Sequence, residues 1–195
     1  MTEKIDRRIR KTKNQLRIGL AKLMQNKSIN EITVKELVDE VDINRSTFYL
    51  HYTDIYNLFE EIENDLLKEI VQVIDTHPIG LNHNTFSFIE DIFSILLENK
   101  DICRALIGPN GDIAFVHKIE MIIAENSMKA LEPLFPAAIG DLKYSFSFCL
   151  SGSVGLIKTW LFENNDESPK HMAELTYTMV INAMNAFYHT KEFDN

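Results

Sequence analysis

The apolar positions of this chain recur at helical spacing along most of its length. In one early stretch they fall at Val34, Leu37, Val38 and Val41, which is the spacing of a single helix face. The register then breaks for two residues, and Asn44 is suited to cap the start of a second helix. Two short helices joined by a tight turn are typical of a helix-turn-helix, a motif that binds DNA.

The same spacing predicts an all-α protein. Helices are expected over residues 6–26, 54–76, 85–99, 101–107, 112–131, 140–162 and, after a cap at Ser168 and Pro169, through residue 187. The helix over 54–76 is longer than average, and no flexible linker separates it from the helix-turn-helix. A rod of this kind can transmit a change from the rest of the chain to the DNA-binding end.

Charge is distributed unevenly along the chain, whose formal net charge is −9. Residues 1–51 contain eleven Lys and Arg against seven Asp and Glu, whereas the remainder contains nine against 22. A basic end on an acidic body indicates a module that meets phosphate at one end only. Chance clustering on solvated helix faces is the alternative explanation.

Cations crowd the start of the first predicted helix. They are Arg7, Arg8, Arg10, Lys11, Lys13 and Arg17. Positive charge at that end opposes the helix dipole, so these residues are not placed for helix stability. A nearby polyanion would explain them through phosphate contacts and counterion release, and Arg8 and Lys11 are the candidate DNA contacts among them.

Within the helix-turn-helix, the apolar side chains of Leu37, Val38 and Phe48 must point inward to hold the two helices together. The residues left for an outer surface are Lys35, Asn44, Arg45, Ser46, Thr47, Tyr49, Leu50 and His51. Arginine can address guanine O6 and N7, hydroxyl groups can bind bases or phosphates, and tyrosine can bind a phosphate oxygen. Alternatively, Ser46 and Thr47 only stabilise the helix start, and Tyr49 packs at its edge.

These residues closely resemble a known family. A basic helix, then ITVKELVDEVDINRSTFYLHYTD, then a long helix beginning IYNLFEEIE is similar to the TetR/AcrR transcriptional regulators. The matching positions are Thr33, Leu37, Ile43, Thr47, Phe48, Tyr49, His51 and Tyr52. The resemblance implies that Lys35 and Arg45 approach base edges or phosphates and that Ser46 and Leu50 lie at the groove. It further implies that the DNA backbone is clamped by Thr33, Thr47, Tyr49 and His51.

Two positions depart from the usual pattern of that family. The turn usually has Gly where Asp42 stands, and Asp tolerates a left-handed backbone better than most residues. The fourth helix usually opens with a Lys that meets phosphate, and this position is Ile55. One phosphate contact is therefore in question, and the resemblance implies a DNA affinity lower than is typical of the family.

The stretch FCLSGSVGLIKTWLF…SPKHMAEL also resembles the C-terminal region of many TetR-type regulators, in which the last two long helices pair with their copies as a four-helix dimer interface. The residues expected there are Ser151, Gly152, Gly155, Trp160, Met172, Leu175 and Met179. Dimerisation would let two recognition helices read the half-sites of a pseudo-palindrome.

The resemblance also implies a small-molecule effector held between helices of the body. The residues that could line its pocket are Phe88, Phe93, Phe115, Met121 and Met128. A role in the hydrophobic core is the simpler alternative for each of them. The resulting organisation is an N-terminal three-helix DNA-binding domain over residues 1–53. A long helix joins it to a helical effector-binding and dimerisation domain over residues 54–195.

Other classes of function find no support in the sequence. The six histidines lack HxxxH or HExxH spacing, and no CxxC, Walker A, GxGxxG or GxSxG motif is present, so no metal, cofactor or enzymatic activity is expected. Cys103 and Cys149 lie in apolar helical patterns, which favours buried thiols over a redox switch or a disulfide. Without a signal sequence or membrane span, the protein is expected in the cytoplasm.

Two functions from different classes follow. The leading one is a homodimeric, ligand-responsive repressor that binds double-stranded DNA. The alternative is a TetR-like adaptor that acts mainly through a protein partner, which the strongly acidic body and Ile55 would suit.

Overall fold

The computed structural model describes residues 2–77, 83–132, 139–163 and 167–189. Within these ranges the chain forms nine α-helices, with a short 3-10 turn at Ile29–Glu31. In chain order the helices are α1 (Thr2–Met24), α2 (Val34–Glu40), α3 (Arg45–Tyr49), α4 (Ile55–Thr76), α5 (His83–Glu98), α6 (Lys100–Ile107), α7 (Ile113–Leu131), α8 (Ile139–Phe162) and α9 (Pro169–His189). No described residue forms a strand, so the all-α prediction is confirmed.

Each predicted helix is present, and the largest difference lies in α1, which begins at Thr2 rather than at residue 6. The structure groups the helices into two compact units, here called the head unit and the body unit. The head unit comprises Met1–Leu67 and Asn99–Val116, and the body unit comprises Lys68–Glu98 and His117–Asn195. These units describe packing, so the predicted functional boundary after residue 53 stays a prediction.

The core of the head unit is built on one face of α1. Leu16, Leu20, Ala21 and Met24 are each at most 3% exposed. Their spacing of four, one and three residues places them on a single side of the helix. α1 packs against α2 and α6. Full burial of a leucine side chain contributes roughly 1.5–3 kcal/mol, so this face is a principal source of stability in the head unit.

α1 and α2 approach each other closely at Gly19. A Cβ atom at this position would lie 2.3 Å from Val41 Cγ1 and 3.1 Å from Leu37 Cδ1. Only glycine leaves room for both side chains, so Gly19 sets the distance between the two helices.

The turn between α2 and α3 passes through a left-handed residue. Asp42 has a φ of 51°, which confirms that Asp occupies the conformation for which glycine is usual. The next backbone N–H, that of Ile43, donates to the carbonyl of Val38 at 3.0 Å. This bond closes the end of α2 as in a Schellman motif and directs the chain into α3.

The body unit is organised by contacts of α9 with α5 and with α8. Phe93 of α5 meets Trp160 of α8 edge to face, with ring centroids 5.2 Å apart. The Trp160 indole N–H donates to the carbonyl of Glu167 at 3.0 Å, so its polar atom is satisfied. Ser168 caps α9, because its hydroxyl accepts from the His171 N–H at 3.2 Å.

Candidate nucleic-acid interface

The orientation of α3 follows from its one buried side chain. Phe48 is fully buried, and it makes ring contacts with Tyr49 and Tyr52 at centroid distances of 5.4 and 5.8 Å. Successive helical residues are rotated by about 100°, so Ser46 and Leu50 lie about 160° away from Phe48. These two residues therefore form the outermost line of α3, and Leu50 is 79% exposed.

Arg45 and Tyr49 form a pair along one edge of that line. The Arg45 guanidinium lies over the Tyr49 ring at 5.5 Å from its centroid, and its Nη2 donates to the Tyr49 hydroxyl at 3.1 Å. Because the phenol oxygen accepts this bond, its own hydrogen is left to donate to a phosphate. The pairing restricts the rotamers of Arg45 and presents its guanidinium beside the exposed line.

Several predicted contact residues cap their own helices. Asn44 Oδ1 accepts from the Ser46 N–H and from the Ser46 hydroxyl, each at 3.0 Å. The Thr33 hydroxyl accepts from the Glu36 N–H at 3.2 Å, and the Thr33 N–H donates to Glu36 Oε2 at 3.0 Å, which completes a capping box. Hydrogen bonds from Lys27 and from Thr33 lower the pKa of Glu36 to about 2. Thr33 and Asn44 therefore stabilise the starts of α2 and α3, and Ser46 contributes to the start of α3 through its hydrogen bonds to Asn44. The alternative to a DNA contact that was considered for Ser46 thus extends to Thr33 and Asn44.

The cations of α1 divide into two groups. Lys13 pairs with Glu61 at 2.8 Å and Arg17 pairs with Asp65 at 2.9 Å, both across to α4. The prediction that all the cations at the start of α1 await a polyanion is therefore wrong for Lys13 and Arg17. The cations that form no ion pair with a described side chain are Arg7, Arg8, Arg10 and Lys11, and all four are exposed.

Lys35 and Arg45 are the other cations of residues 7–51 that remain available to a ligand. Neither forms an ion pair with another described side chain, and both are exposed. Elsewhere in the head unit, Lys22 pairs with Glu40 and Lys27 pairs with Glu36. The positive charge available to a ligand is accordingly smaller than the composition of residues 1–51 suggests.

A polar cluster that the sequence analysis missed connects the end of the helix-turn-helix to α1 and α4. The hydroxyl of Tyr52, which is 3% exposed, donates to Glu61 Oε1 at 2.6 Å. Lys13 Nζ donates to both Glu61 oxygens, at 2.8 and 3.1 Å, and lies 5.2 Å from the centroid of the Tyr52 ring. Its members come from three separate segments, so no local pattern in the sequence could have revealed it.

The ionisation of this cluster follows from its contacts. Burial acts to raise the pKa of Glu61, but hydrogen bonds from Lys13 and Tyr52 and the charges of Lys13 and Arg17 outweigh it, and the pKa is lowered. Burial and the hydrogen bond to Glu61 raise the pKa of Tyr52. Glu61 is therefore an anion and Tyr52 a neutral donor across the neutral pH range.

The start of α4 has no cation to offer to phosphate. Ile55 is 4% exposed and belongs to the core, and Asp54 caps the helix by accepting from the Asn57 N–H at 2.8 Å. The neighbouring Tyr56 hydroxyl donates to Asn30 Oδ1 at 2.8 Å. The departure of Ile55 from the usual Lys thus removes the cation itself and leaves a carboxylate at this helix end.

The remaining predicted DNA contacts, Thr47 and His51, are partly exposed and lie on either side of buried Phe48 in sequence. The structure thus brings Arg45, Ser46, Thr47, Tyr49, Leu50 and His51 together around α3. Arg8 and Lys11 lie on α1, and Lys35 lies on the first turn of α2.

The predicted effector residues have diverse environments. Phe88 and Phe93 are buried in the body unit, at 7% and 1% exposure, as expected for residues of the hydrophobic core. Phe115 is buried in the head unit, Met121 is 57% exposed and Met128 is partly buried. A small apolar pocket of about 10 Å³, partly open to solvent, lies instead in the head unit, lined by Leu20, Ala21, Met24, Phe59, Ile62, Ile102, Ala105 and Leu106.

The predicted dimer residues fall into an exposed group and a buried pair. Ser151, Gly152, Gly155, Leu175 and Met179 are exposed, and a Cβ atom added at either glycine would meet nothing within 4 Å. Trp160 and Met172 are buried within their own chain, at 5% and 6% exposure. Two aromatic residues that were not predicted from the sequence, Tyr144 and Phe148, precede this group on α8 and are 79% and 75% exposed.

The described residues contain no cluster of His, Cys, Asp and Glu that could hold a metal ion. Cys103 and Cys149 are buried, as predicted, and burial raises the pKa of the Cys149 thiol. Across the described ranges, no helix is both long and apolar enough to cross a membrane.

Comparison with known proteins assigns the fold to a family. Residues 83–182, more than half of the chain, match a TetR-type family described as a transcriptional regulator C-terminal region. The chain belongs to the TetR family of transcriptional regulators. The helix-turn-helix of this TetR-family chain lies before the matched segment, within the head unit.

A curated relative is YxbF of Bacillus subtilis (strain 168), an HTH-type transcriptional regulator that is itself uncharacterized. The two are 24% identical over 180 residues, which cover 85% of this chain. The chain spans only 44% of the length of that relative, so the relative contains much that this chain does not match.

Two solved structures share the fold. A TetR transcriptional regulator from Streptococcus agalactiae 2603V matches with a TM-score of 0.58 and 22% identity, over 92% of this chain and 99% of that one. A Pseudomonas aeruginosa PAO1 protein, described as a candidate transcriptional regulator, matches with a TM-score of 0.64 and 16% identity, over 93% and 94%. At these identities the likeness concerns the TetR fold alone.

Proposed function

We propose that this TetR-family regulator binds double-stranded DNA directly and with sequence preference, through the exposed side of α3. The observation that carries the proposal is the arrangement around Phe48, which leaves Ser46 and Leu50 on the outermost line, with Arg45 and Tyr49 beside it. A short helix with such a surface fits the major groove, where side chains reach base edges. The proposal gives the chain no catalytic role.

Phosphate contacts would come from cations that form no ion pair with a described side chain. Within residues 7–51 these are Arg7, Arg8, Arg10, Lys11, Lys35 and Arg45. With about five phosphate contacts per head, the logarithm of the binding constant should fall with the logarithm of salt concentration at a slope near −4.5 per head. A slope near zero, together with no preference among DNA sequences, would refute direct and specific binding.

Arg45→Ala tests the base contact. If Arg45 binds a base edge, its loss should weaken binding to the preferred duplex by about 5- to 150-fold and relax the preference at one base pair. The matched control is Lys129→Ala, because Lys129 is paired with Glu125 on α7 and its loss removes the same charge from the body unit. Gel-shift titrations on selected duplexes, with circular dichroism to confirm folding, give both values.

We further propose that two copies associate through α8 and α9. Support comes from the exposed face of Ser151, Gly152 and Gly155, together with the exposed aromatic side chains of Tyr144 and Phe148. Exposed apolar side chains flanked by small residues are typical of a protein–protein interface. In this proposal Leu175 and Met179 contribute from α9, whereas buried Trp160 and Met172 support the face from within.

The association can be tested without disturbing the protomer. Gly152→Arg should halve the mass measured by analytical ultracentrifugation, because a long cationic side chain would keep the two copies apart. Within its own chain, a Cβ atom at this position meets nothing within 4 Å. Gln72→Arg, at an exposed position of the body unit on α4, is the control and should leave the mass unchanged. If the unmodified protein is already a monomer at micromolar concentration, the dimer proposal fails.

The finer role that we propose is that of a cytoplasmic, ligand-responsive repressor. It is supported by the family to which the chain belongs, in which the helical body is the expected effector site. A compound that raises the melting temperature of the protein and lowers its affinity for the operator would identify the effector. A reporter controlled by the operator should become more active on deletion of the protein; lower activity would make it an activator.

The adaptor is the second candidate, and the start of α4 favours it. Ile55 is buried where a phosphate-binding Lys is usual, and Asp54 places a carboxylate at the same helix end. An adaptor would co-purify with a stable protein partner and keep its cellular activity after Arg45→Ala. Loss of activity in that variant would favour direct DNA binding.

A further inference from the structure

Leu50 is an exposed apolar residue in an otherwise polar setting. It is 79% exposed at the end of α3, where its φ of −71° and ψ of −18° continue the helical path. Burying such a side chain against the protein is the usual outcome, since each buried CH₂ group gains about 0.8 kcal/mol. A partner that covered Leu50 would gain a comparable free energy for each CH₂ group buried.

The position of Leu50 limits what that partner can be. Leu50 lies about 160° from buried Phe48 around α3, so it points away from the core of the head unit. Ser46, one turn earlier, shares this line, and its hydroxyl is engaged with Asn44 Oδ1 at 3.0 Å. Leu50 is thus the most exposed large apolar side chain of α3, and it lies on the side of the helix opposite Phe48.

The surroundings of Leu50 favour a nucleic acid over a protein. Arg45 and Tyr49 lie beside it, and they present a guanidinium and a hydroxyl group rather than a contiguous apolar patch of the kind that marks a protein interface. A single apolar side chain among hydrogen-bonding groups instead suits the major groove. There the C5-methyl group of thymine is the one apolar feature among donors and acceptors.

We propose that Leu50 is a specificity-determining residue that contacts the C5-methyl group of a thymine in each half-site. This inference rests on the proposed direct binding of DNA, and it names the base that α3 selects at one position. Arg45, held by Tyr49, lies at the edge of the same surface, so the thymine falls within a few base pairs of the base that Arg45 addresses.

The test uses DNA chemistry that changes one methyl group at a time. A duplex is first selected from a randomised pool by the full-length protein, and each thymine is then replaced in turn by deoxyuridine, which lacks only the C5-methyl group. The unmodified protein should lose about fourfold in affinity at one thymine per half-site, as expected for one buried methyl group. Leu50→Ala should bind the thymine and deoxyuridine duplexes equally well.

Two further variants exclude indirect effects. Leu50→Met retains an apolar side chain of similar size and should keep most of the discrimination between thymine and deoxyuridine. Ile113→Ala removes a comparably exposed apolar residue of α7, 86% exposed, and should leave the discrimination unchanged. Since Leu50 and Ile113 are both largely exposed, the variants should match the unmodified protein in circular dichroism and melting temperature.

The outcomes separate this inference from the function on which it rests. If selection from the pool yields no preferred duplex, the proposed sequence-specific binding fails. If a preferred duplex is found and Leu50→Ala still discriminates thymine from deoxyuridine fourfold, the assignment of Leu50 is overturned while the function stands. Unchanged affinity of Leu50→Ala for every duplex would also overturn it and would assign the exposed leucine to a protein partner.

Discussion

The polar cluster of Tyr52, Glu61 and Lys13 should contribute measurably to the free energy of unfolding. Tyr52→Phe removes the hydroxyl that donates to Glu61 Oε1 at 2.6 Å and leaves the buried ring in place. A hydrogen bond to a charged group contributes about 1.5–3 kcal/mol. Since the Glu61 side chain is 34% exposed and keeps its ion pair with Lys13, we expect a loss near the lower end, about 1.5 kcal/mol at pH 7.

The pH dependence of that loss is also determined by the structure. The pKa of Glu61 is lowered in the fold, so the stabilisation is present above its ordinary value of 4.5 and disappears as the pH falls through the folded pKa. The pKa of Tyr52 is raised above its ordinary value of 10, so stability is lost as the pH rises past that value. The difference between the two proteins should therefore be largest between these limits and shrink on both sides.

Urea unfolding at one fixed protein concentration, followed by circular dichroism from pH 3 to 11, measures this difference. Tyr56→Phe is the matched control. Its hydroxyl donates to neutral Asn30 at 2.8 Å and the residue is 54% exposed, so its loss should cost less than about 0.5 kcal/mol. A Tyr52→Phe effect as small as that of the control, or one that does not vary with pH, would refute the assignment of the cluster.

Three further substitutions test the packing and the turns. Gly19→Ala should destabilise the protein by about 1–3 kcal/mol in urea unfolding, since its Cβ would lie 2.3 Å from Val41 Cγ1. Gly152→Ala, with open space around it within its own chain, should be neutral or stabilising when both variants are unfolded at a concentration at which the protein is monomeric. Equal effects would contradict the close approach at Gly19. Asp42→Gly should raise the free energy of unfolding by about 0.5–1 kcal/mol, because glycine adopts a φ of 51° without the steric strain of a Cβ atom. A lower free energy of unfolding would show that the Asp side chain stabilises the turn. Thr33→Ala should cost about 1 kcal/mol and Thr33→Ser should restore it, because the hydroxyl caps α2; no recovery by Ser would argue against the cap.

Features set by neighbouring residues were predictable from the sequence. Asn44 and Ser168 were expected to cap helices, and each accepts the capping hydrogen bond, because a cap depends on a side chain and a backbone group two or three residues away. The left-handed turn at Asp42 is likewise a local property of the backbone. The helices themselves followed from apolar spacing, which reports the face that each helix buries.

Features set by distant residues were not predictable in this way. Lys13 and Glu61 are 48 residues apart, so the sequence showed a cation on one helix and a carboxylate on another without indicating that they pair. Trp160 has the spacing of an interface residue, yet Phe93 of α5 covers it within the same chain. Periodicity identifies a helix face that is buried but does not say whether the protein itself or a second copy covers it.

The pairing of charges between α1 and α4 changes how the basic end of the chain is understood. The cations early in α1, from Arg7 to Lys11, form no ion pair with a described side chain, whereas Lys13 and Arg17 hold carboxylates of α4. The same helix thus separates a part free to meet phosphate from a part that stabilises the head unit. Since Ile55 supplies no cation at the start of α4, DNA affinity in the proposed function would depend on the early part of α1 and on Lys35. Removing Arg8 and Lys11 should then flatten the salt dependence by about two units per head, without lowering the stability that Lys13 and Arg17 support.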